Sequence, residues 1–314
     1  MISYKIKHCL MNNSFFFLFI ALINLAKSQV LDFASETNWP AQCQGQRQTP
    51  VDFPAPSQSN GTYQPLNNTK ILFNNYNTVS GISMFQSIPN GKFAFNQSNM
   101  GDLFFQKNGY FYKYNLAEIH FHAPSEHTIN GTQYDLEMHL VHFKDKTFFS
   151  SANLNTNVDP DSQQQILVVG ILFSKSDFKN NLNSNPNNTF ISALKLWNTS
   201  AIVDNFNLND FSRSDKYYLH YEGSLTTPGC NETVNWVVMT QIESISTLQL
   251  SDFLNLMKRN GYTTTGRKTK PLNGRKIFYN DVSTFSPVSF KSNGFFLKVQ
   301  FISIFLVFSL LILL

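Results

Sequence analysis

The sequence predicts a mostly β protein: a single domain on a mainly antiparallel sheet, with a few short surface helices. Three observations predict it. Apolar and aromatic residues recur in short runs, among them "KILFNN", "GKFAFNQ", "LFFQ", "EIHFH", "LEMHLVHF", "QQILVVGILF" and "TVNWVVMT". Between the runs stand "SIPNGK", "QKNGY" and "TINGTQ", whose Asn-Gly steps suit the positive φ of tight hairpin turns. Helical signals are confined to "FISALKLWNTS" at 190–200 and "STLQLSDFLNLMKRNG" at 246–261. In the second, Ser251 or Asp252 is the expected N-cap and Gly261 the stop. The Asn-rich stretch from Asn180 to Phe190 reads as a loop, and no internal repeat or interdomain linker is visible.

Both ends read as processing signals. Lys5 and Lys7 precede an apolar run from Phe15 to Leu25, and Ala26-Lys27-Ser28 offers small residues for cleavage. A signal peptide over 1–28 is expected, sending the chain into the secretory pathway. An uncleaved anchor is the alternative, but the apolar stretch is short for the about 20 residues a bilayer needs. At the other end "FISIFLVFSLLILL" (301–314) has no basic residues behind it, and Ser292-Asn293-Gly294 lies upstream. Residues 292–314 therefore read as a hydrophobic anchor signal, of glycolipid (GPI) type or a single transmembrane helix. Either places the domain, 29–291, on the outer face of the cell membrane.

Composition narrows the partners. The net charge of +4 includes the leader lysines and forms no basic block, so nucleic-acid binding is unsupported. Of three cysteines, Cys9 leaves with the leader, so Cys43 and Cys230 have one possible pairing in an oxidising compartment. Such a bond closes a loop worth about 4 to 5 kcal/mol in the chain-entropy model; two buried free thiols are the alternative. Sequons at Asn60, Asn67, Asn96, Asn130, Asn187, Asn198 and Asn231 suit a secreted glycoprotein. Oligomeric state is not legible.

Chemistry concentrates at 118–142, where "EIHFHAPSEH" and "LEMHLVH" hold five of the seven histidines. Strand side chains alternate faces, so His120 and His122 project to one side and Phe121 to the other. On the second strand Glu137, His139, Val141 and Phe143 share a face. If the two strands are neighbours, His139 completes a three-histidine set. Three imidazoles suit tetrahedral zinc and leave the fourth position for water, which is the catalytic pattern. A ligating imidazole gives its other N–H to an outer acceptor, and Glu137 stands where it can serve His139. A lone buried histidine is more often a hydrogen-bonded core residue; five together at strand spacing argue otherwise.

These segments, with "NWPAQCQGQRQTPVDF", "ILVVGILF", "YEGSLTTPGCNETVNWVV" and "KPLNGRKIF", carry a resemblance to the α-class carbonic anhydrases over nearly the whole mature chain. The resemblance implies a large twisted sheet with zinc at the bottom of a conical cleft, and reversible hydration of carbon dioxide to bicarbonate and a proton. It implies zinc ligands at His120, His122 and His139, with Glu137 behind the third. It matches Thr226 to the threonine that receives the hydrogen bond of zinc-bound hydroxide, and Glu126 to the acceptor of that threonine's proton. Thr227 borders the bicarbonate position. Val141, Val168, Leu225, Val234 and Trp236 match the apolar wall for carbon dioxide, and Cys43 and Cys230 match the disulfide of extracellular members.

The chain departs from the family pattern in three places. Asn77, in "NNYN" at 74–77, stands where fast members carry a proton-relaying histidine. His127 and His142 fall in core positions and His220 is the one spare, so proton transfer is expected to limit turnover. Glu118 replaces the usual glutamine behind His120 and can accept the same bond. In "GRKTKPLNGR", Lys268 and Lys270 replace common Pro and Gln while Arg267 is kept; this loop is expected to lie remote from the zinc ligands. Two other functions compete: an inactive member serving as a cell-surface binding module, and a zinc hydrolase. The intact ligand set disfavours the first, and the lack of an H-E-x-x-H helix disfavours the second. A serine hydrolase has no G-x-S-x-G elbow here.

Overall fold

The computed structural model describes residues 31–54, 62–65, 70–80, 82–87, 92–95, 100–151, 159–175, 202–203, 206–211, 217–279, 290–292 and 295–297. The leader, the expected helix at 190–200, the loop before it and the apolar run at 301–314 lie outside them. No helix among the described residues is long and apolar enough to cross a membrane.

One sheet of thirteen strands organises the described chain. In chain order they are β1 (Tyr63–Pro65), β2 (Lys70–Asn74), β3 (Ile82–Ser87), β4 (Lys92–Phe95), β5 (Asp102–Lys107), β6 (Tyr110–His122), β7 (Leu136–Ser151), β8 (Ile166–Lys175), β9 (Ile202–Val203), β10 (Tyr218–Gly223), β11 (Val234–Met239), β12 (Glu243–Ile245) and β13 (Ile277–Tyr279). Their spatial order is β9-β3-β4-β6-β7-β8-β11-β10-β13-β1, with β2 and β5 continuing from β6 and β12 beside β8. Most neighbours are antiparallel, as the turn chemistry implies. β8 runs parallel to both β11 and β12, and β13 parallel to β1, so the sheet is mixed. A parallel pair needs a long crossover rather than a hairpin, and the chain between Lys175 and Val234 supplies one.

Both faces of the central strands are covered. Leu167 to Phe173 and Val234 to Met239 are buried without interruption, which is why these strands read as continuous apolar runs rather than alternating ones. Behind the sheet Leu103, Phe105, Tyr114, Phe121, Leu140, Val169 and Val237 form the larger core. In front, Val51, Phe53, Val141, Val168, Tyr221, Val234 and Trp236 form a second. A single α-helix among the described residues, α1 (Thr247–Arg259), lays Leu250, Phe253, Leu256 and Met257 against the rear core, with Phe253 on Phe121. Its N-cap is Ser246, not Ser251 or Asp252, which lie inside the helix. Ser246 accepts from the Gln249 N–H while the Gln249 side chain accepts from the Ser246 N–H. That reciprocal pair satisfies two otherwise orphaned donors. Gly261 takes φ 85° just past the last turn, where the expected stop falls.

Cys43 and Cys230 are joined by a disulfide across 187 residues. It fastens the N-terminal segment to the loop between β10 and β11.

Two histidines sit in the rear core. His142 meets the Leu167 carbonyl through Nδ1 at 3.1 Å and the Tyr76 hydroxyl through Nε2. His220 donates from Nδ1 to the Trp236 carbonyl at 2.8 Å and lies between Phe105 and Phe278. Burial, which disfavours the charged ring, pushes both down to about 4. The unfolded chain keeps the ordinary value near 6.5 and so takes up protons first as pH falls. Stability is therefore complete above about pH 6.5 and declines toward pH 4. Urea melts at pH 7 and pH 5 are expected to differ by roughly 2 kcal/mol for each of these histidines; a flat profile over that range would contradict their burial as neutral rings.

Candidate metal centre

The site follows from the register of β6 against β7. His120 pairs with His139 and His122 with Glu137, directly across the antiparallel ladder. The same face continues sideways: Val141 pairs with Val168, and Val168 with Trp236. The three imidazoles thus converge next to an apolar row on β7, β8 and β11.

Each ring is held from outside. His122 gives its Nδ1 hydrogen to the Thr265 carbonyl at 2.6 Å. His139 faces Glu137 Oε1 through Nε2 at 2.8 Å. His120 Nδ1 stands 2.7 Å from Glu118 Oε1, an approach off the ideal hydrogen-bond line. With those nitrogens turned outward, His120 Nε2, His122 Nε2 and His139 Nδ1 face one another. His139 Nδ1 lies 3.2 Å from His120 Nε2, and two ligands of a tetrahedral zinc at 2.0–2.1 Å lie about 3.3 Å apart. His122 Nε2 is buried with no hydrogen-bond partner. Burial, reinforced by His139 and His120, holds His122 well below its ordinary range, so its ring is neutral as a ligand must be. The donor set fits zinc, and ligand atoms of all three lie within 4.8 Å of one another.

Glu137 is the most heavily bonded carboxylate here. Oε1 accepts from the rings of His139 and His127 at 2.8 and 2.7 Å, and Oε2 from the backbone N–H groups of Glu126 and His127 at 2.9 and 2.8 Å. Burial alone would raise its pKa, but the two histidines outweigh it and hold the carboxyl well below the usual range. Gly170, opposite His139, leaves room for it: a Cβ there would come within 2.9 Å of Glu137 Oε1. The neighbouring Glu126 is the reverse. Burial, and then the charge of Glu137, push it well above the usual range, while the Arg267 N–H at 2.9 Å and the nearby Thr226 side chain pull the other way.

In front of the rings opens a cavity of about 230 Å³ lined by Glu118, His120, His139, Val141, Phe143, Ile166, Val168, Leu225, Thr226, Thr227 and Trp236. Thr226 and its neighbours are carried by the loop after β10, and the Trp236 indole N–H anchors that loop through the Ser224 carbonyl at 2.9 Å. Val234 lies fully buried beside this wall and does not line the cavity.

Sequence reasoning missed four contributors. His127, read as a core residue, bridges Glu137 to the Tyr221 hydroxyl at 2.7 Å on each side. Thr265 and Arg267, in and beside the loop expected to be remote, touch His122 and Glu126. Only tertiary folding brings them there, from more than 130 residues away. Ile166 extends the apolar wall; its place at the head of "ILVVGILF" was the available signal.

Fold and site together define a class: a mixed-sheet protein with three strand-borne histidines around a metal position that is open to an apolar cleft. Residues 34–281 match the family model for eukaryotic-type carbonic anhydrases, and the chain belongs to that family. Alpha carbonic anhydrase 3 of Arabidopsis thaliana is 30% identical over 182 residues, covering 55% of this chain and 56% of the relative. A carbonic anhydrase of Klebsiella pneumoniae is 32% identical over 170 residues, covering 52% and 56%. The aligned part thus spans about half the length of these curated relatives. Among solved structures, the α-carbonic anhydrase of Photobacterium profundum superposes with TM-score 0.52 at 26% identity, covering 75% of this chain and 90% of that one. Carbonic anhydrase Cah3 of Chlamydomonas reinhardtii, solved with acetazolamide, shares the fold with TM-score 0.57 at 24% identity, covering 78% and 96%.

The four-bond environment of Glu137 makes a definite prediction. A glutamine there must point its amide N–H₂ at either two ring N–H groups or two backbone N–H groups. Glu137→Gln is expected to weaken zinc affinity about 10- to 100-fold, measured by competition with a chelator; unchanged affinity would show that this carboxylate does not control His139.

Proposed function

We propose that the protein is a zinc-dependent carbonic anhydrase that hydrates carbon dioxide reversibly to bicarbonate and a proton. The observation that carries this is three buried imidazoles with convergent nitrogens at the floor of an apolar cleft. Zinc held by His120, His122 and His139 would supply Lewis acidity, the means of making a nucleophile from water near neutral pH, for which carbonic anhydrases are the standing example.

The chain's own residues do the rest. Val141, Val168, Leu225 and Trp236 offer an uncharged substrate an apolar resting place without a desolvation cost. Thr226 stands beside Glu126; giving its hydroxyl proton to that carboxylate would leave it as an acceptor and so admit to the metal position a ligand that carries an O–H. Thr227 borders the position of the bicarbonate product. Glu137 and Glu118 hold His139 and His120 from behind.

Proton export is the slow part of this reading. All six histidines among the described residues are buried, and Asn77 is exposed where a relaying imidazole is expected. His220 serves the rear core, on the far side of the sheet from the cleft. We further infer an extracytoplasmic location, supported by the Cys43–Cys230 disulfide, and attachment to the outer membrane face through residues 292–314. Release from cells by a phospholipase that cuts glycolipid anchors separates the GPI form from a transmembrane helix.

Carbon dioxide hydration by the full chain, beside His122→Ala, tests the central reading. Activity is expected in the parent and a loss of at least about a thousandfold in the variant, on the scale of losing the nucleophile. Turnover is expected to rise with buffer concentration, and Asn77→His to lessen that dependence. A folded, zinc-loaded parent without hydration activity would refute the enzyme reading, and a buffer-independent parent rate would refute slow proton export.

A further inference from the structure

We propose that Arg267 is a positioning residue for the metal centre, and that through it the N-terminal segment from Glu36 to Thr49 becomes part of the site. The proposal rests on the zinc reading above and goes beyond it.

The argument begins with three consecutive residues. The Thr265 carbonyl receives the Nδ1 hydrogen of His122 at 2.6 Å. Its N–H donates to the Ala123 carbonyl at 3.1 Å, and its hydroxyl accepts from the Ala123 N–H at 3.2 Å. Gly266 passes so close to the Pro124 carbonyl that a Cβ would come within 2.5 Å of that oxygen. The Arg267 N–H donates to Glu126 Oε1 at 2.9 Å. One short stretch of backbone therefore grips a metal ligand and the carboxylate that serves Thr226.

What holds this stretch in place is the Arg267 side chain. Its guanidinium is fully buried. Nε donates to Glu36 Oε2 at 3.1 Å, Nη1 to Gln48 Oε1 at 2.9 Å and to the Thr49 carbonyl at 2.8 Å, and Nη2 to the Cys43 carbonyl at 2.7 Å. Its Cζ lies over the Trp39 ring, 5.0 Å from the ring centre. Every one of these partners belongs to the N-terminal segment. A planar fork bonded along three nitrogens has almost no freedom of rotation, so it fixes its own backbone N–H as well. Lysine, a single rotatable point charge, cannot reproduce this. Glu36 supplies the counter-charge and is itself steadied by Lys270 Nζ at 2.7 Å.

A purely structural cross-link would make a different prediction. Losing it would lower stability but leave the metal site of the folded molecules unchanged. The test compares the full chain with Arg267→Lys, with the milder Glu36→Gln, and with Leu250→Ala, a core substitution in α1 away from the site. The rate of zinc loss to excess chelator, the visible spectrum of the cobalt-substituted protein, and kcat and KM are measured alongside melting temperature. Arg267→Lys is expected to release zinc about tenfold faster, comparable with losing an outer partner of a ligand. It is also expected to alter the cobalt spectrum and to lower kcat more than it changes KM. Glu36→Gln moves the same way by less, and Leu250→Ala lowers the melting temperature with parental zinc release. Parental zinc release and spectrum in both site variants, or equal acceleration by Leu250→Ala, would overturn the proposal; if Arg267→Lys does not fold, Glu36→Gln decides. A parent that binds no zinc overturns this proposal and the reading beneath it. A parent that binds zinc but does not hydrate carbon dioxide overturns only the activity, because zinc release still reports on Arg267.

Discussion

The pairing of His120 with His139 across β6 and β7 is the constraint on which the rest of the site depends. Side chains on a strand alternate with a period of two, so a slip of one residue would send His139 into the rear core and Leu140 into the cleft. The register is pinned from both sides. Met138 and Leu140 are fully buried behind the sheet, while Val141 packs in front with Val168 and Trp236. The ladder is interrupted between Val141 and His142, just past the residues that carry the metal ligand and its carboxylate. Such an irregularity next to a site re-aims the strand without disturbing the register of the residues before it.

Given that register, the electrostatics are settled by a few buried groups. Three imidazoles at such short range cannot all be charged, and their burial favours the neutral rings that metal binding requires. The anionic side is carried mainly by Glu137, whose two oxygens are saturated by four N–H donors. A carboxylate so satisfied does not need the metal as a ligand, and it remains available to orient His139. Glu126 is poorly solvated by comparison and depends on the Arg267 N–H and Thr226. This contrast between two neighbouring carboxylates, one stabilised as the anion and the other strained as one, places them in different roles.

The strand-borne part of the site was legible because it is local. His120 and His122 share a face by their spacing alone, and "LEMHLVH" brings Glu137 and His139 with it. The family likeness added Thr226 and Glu126, whose positions no periodicity reveals. The mainly antiparallel sheet was legible from its turns, whereas the parallel β8–β11 pairing was not, because a crossover leaves no short-range signal. Ser246 and Gln249 have the spacing of a reciprocal cap, but Ser251 and Asp252 offer competing cap residues in the same stretch, and only the observed bonds decide between them. The loop from Gly266 to Arg275 reads as remote along the chain, yet Arg267 in it and Thr265 just before it reach Glu126 and His122. Their contribution is made through a backbone carbonyl and a backbone N–H, groups that every residue has and that sequence therefore cannot single out.

X-ray absorption at the zinc edge of the zinc-loaded chain tests the central claim most directly. The account predicts one zinc per chain with three imidazole nitrogens and one further light ligand, all at about 2.0–2.1 Å. A shell containing sulfur, a fully protein-filled coordination sphere, or a folded chain that retains no zinc would contradict it.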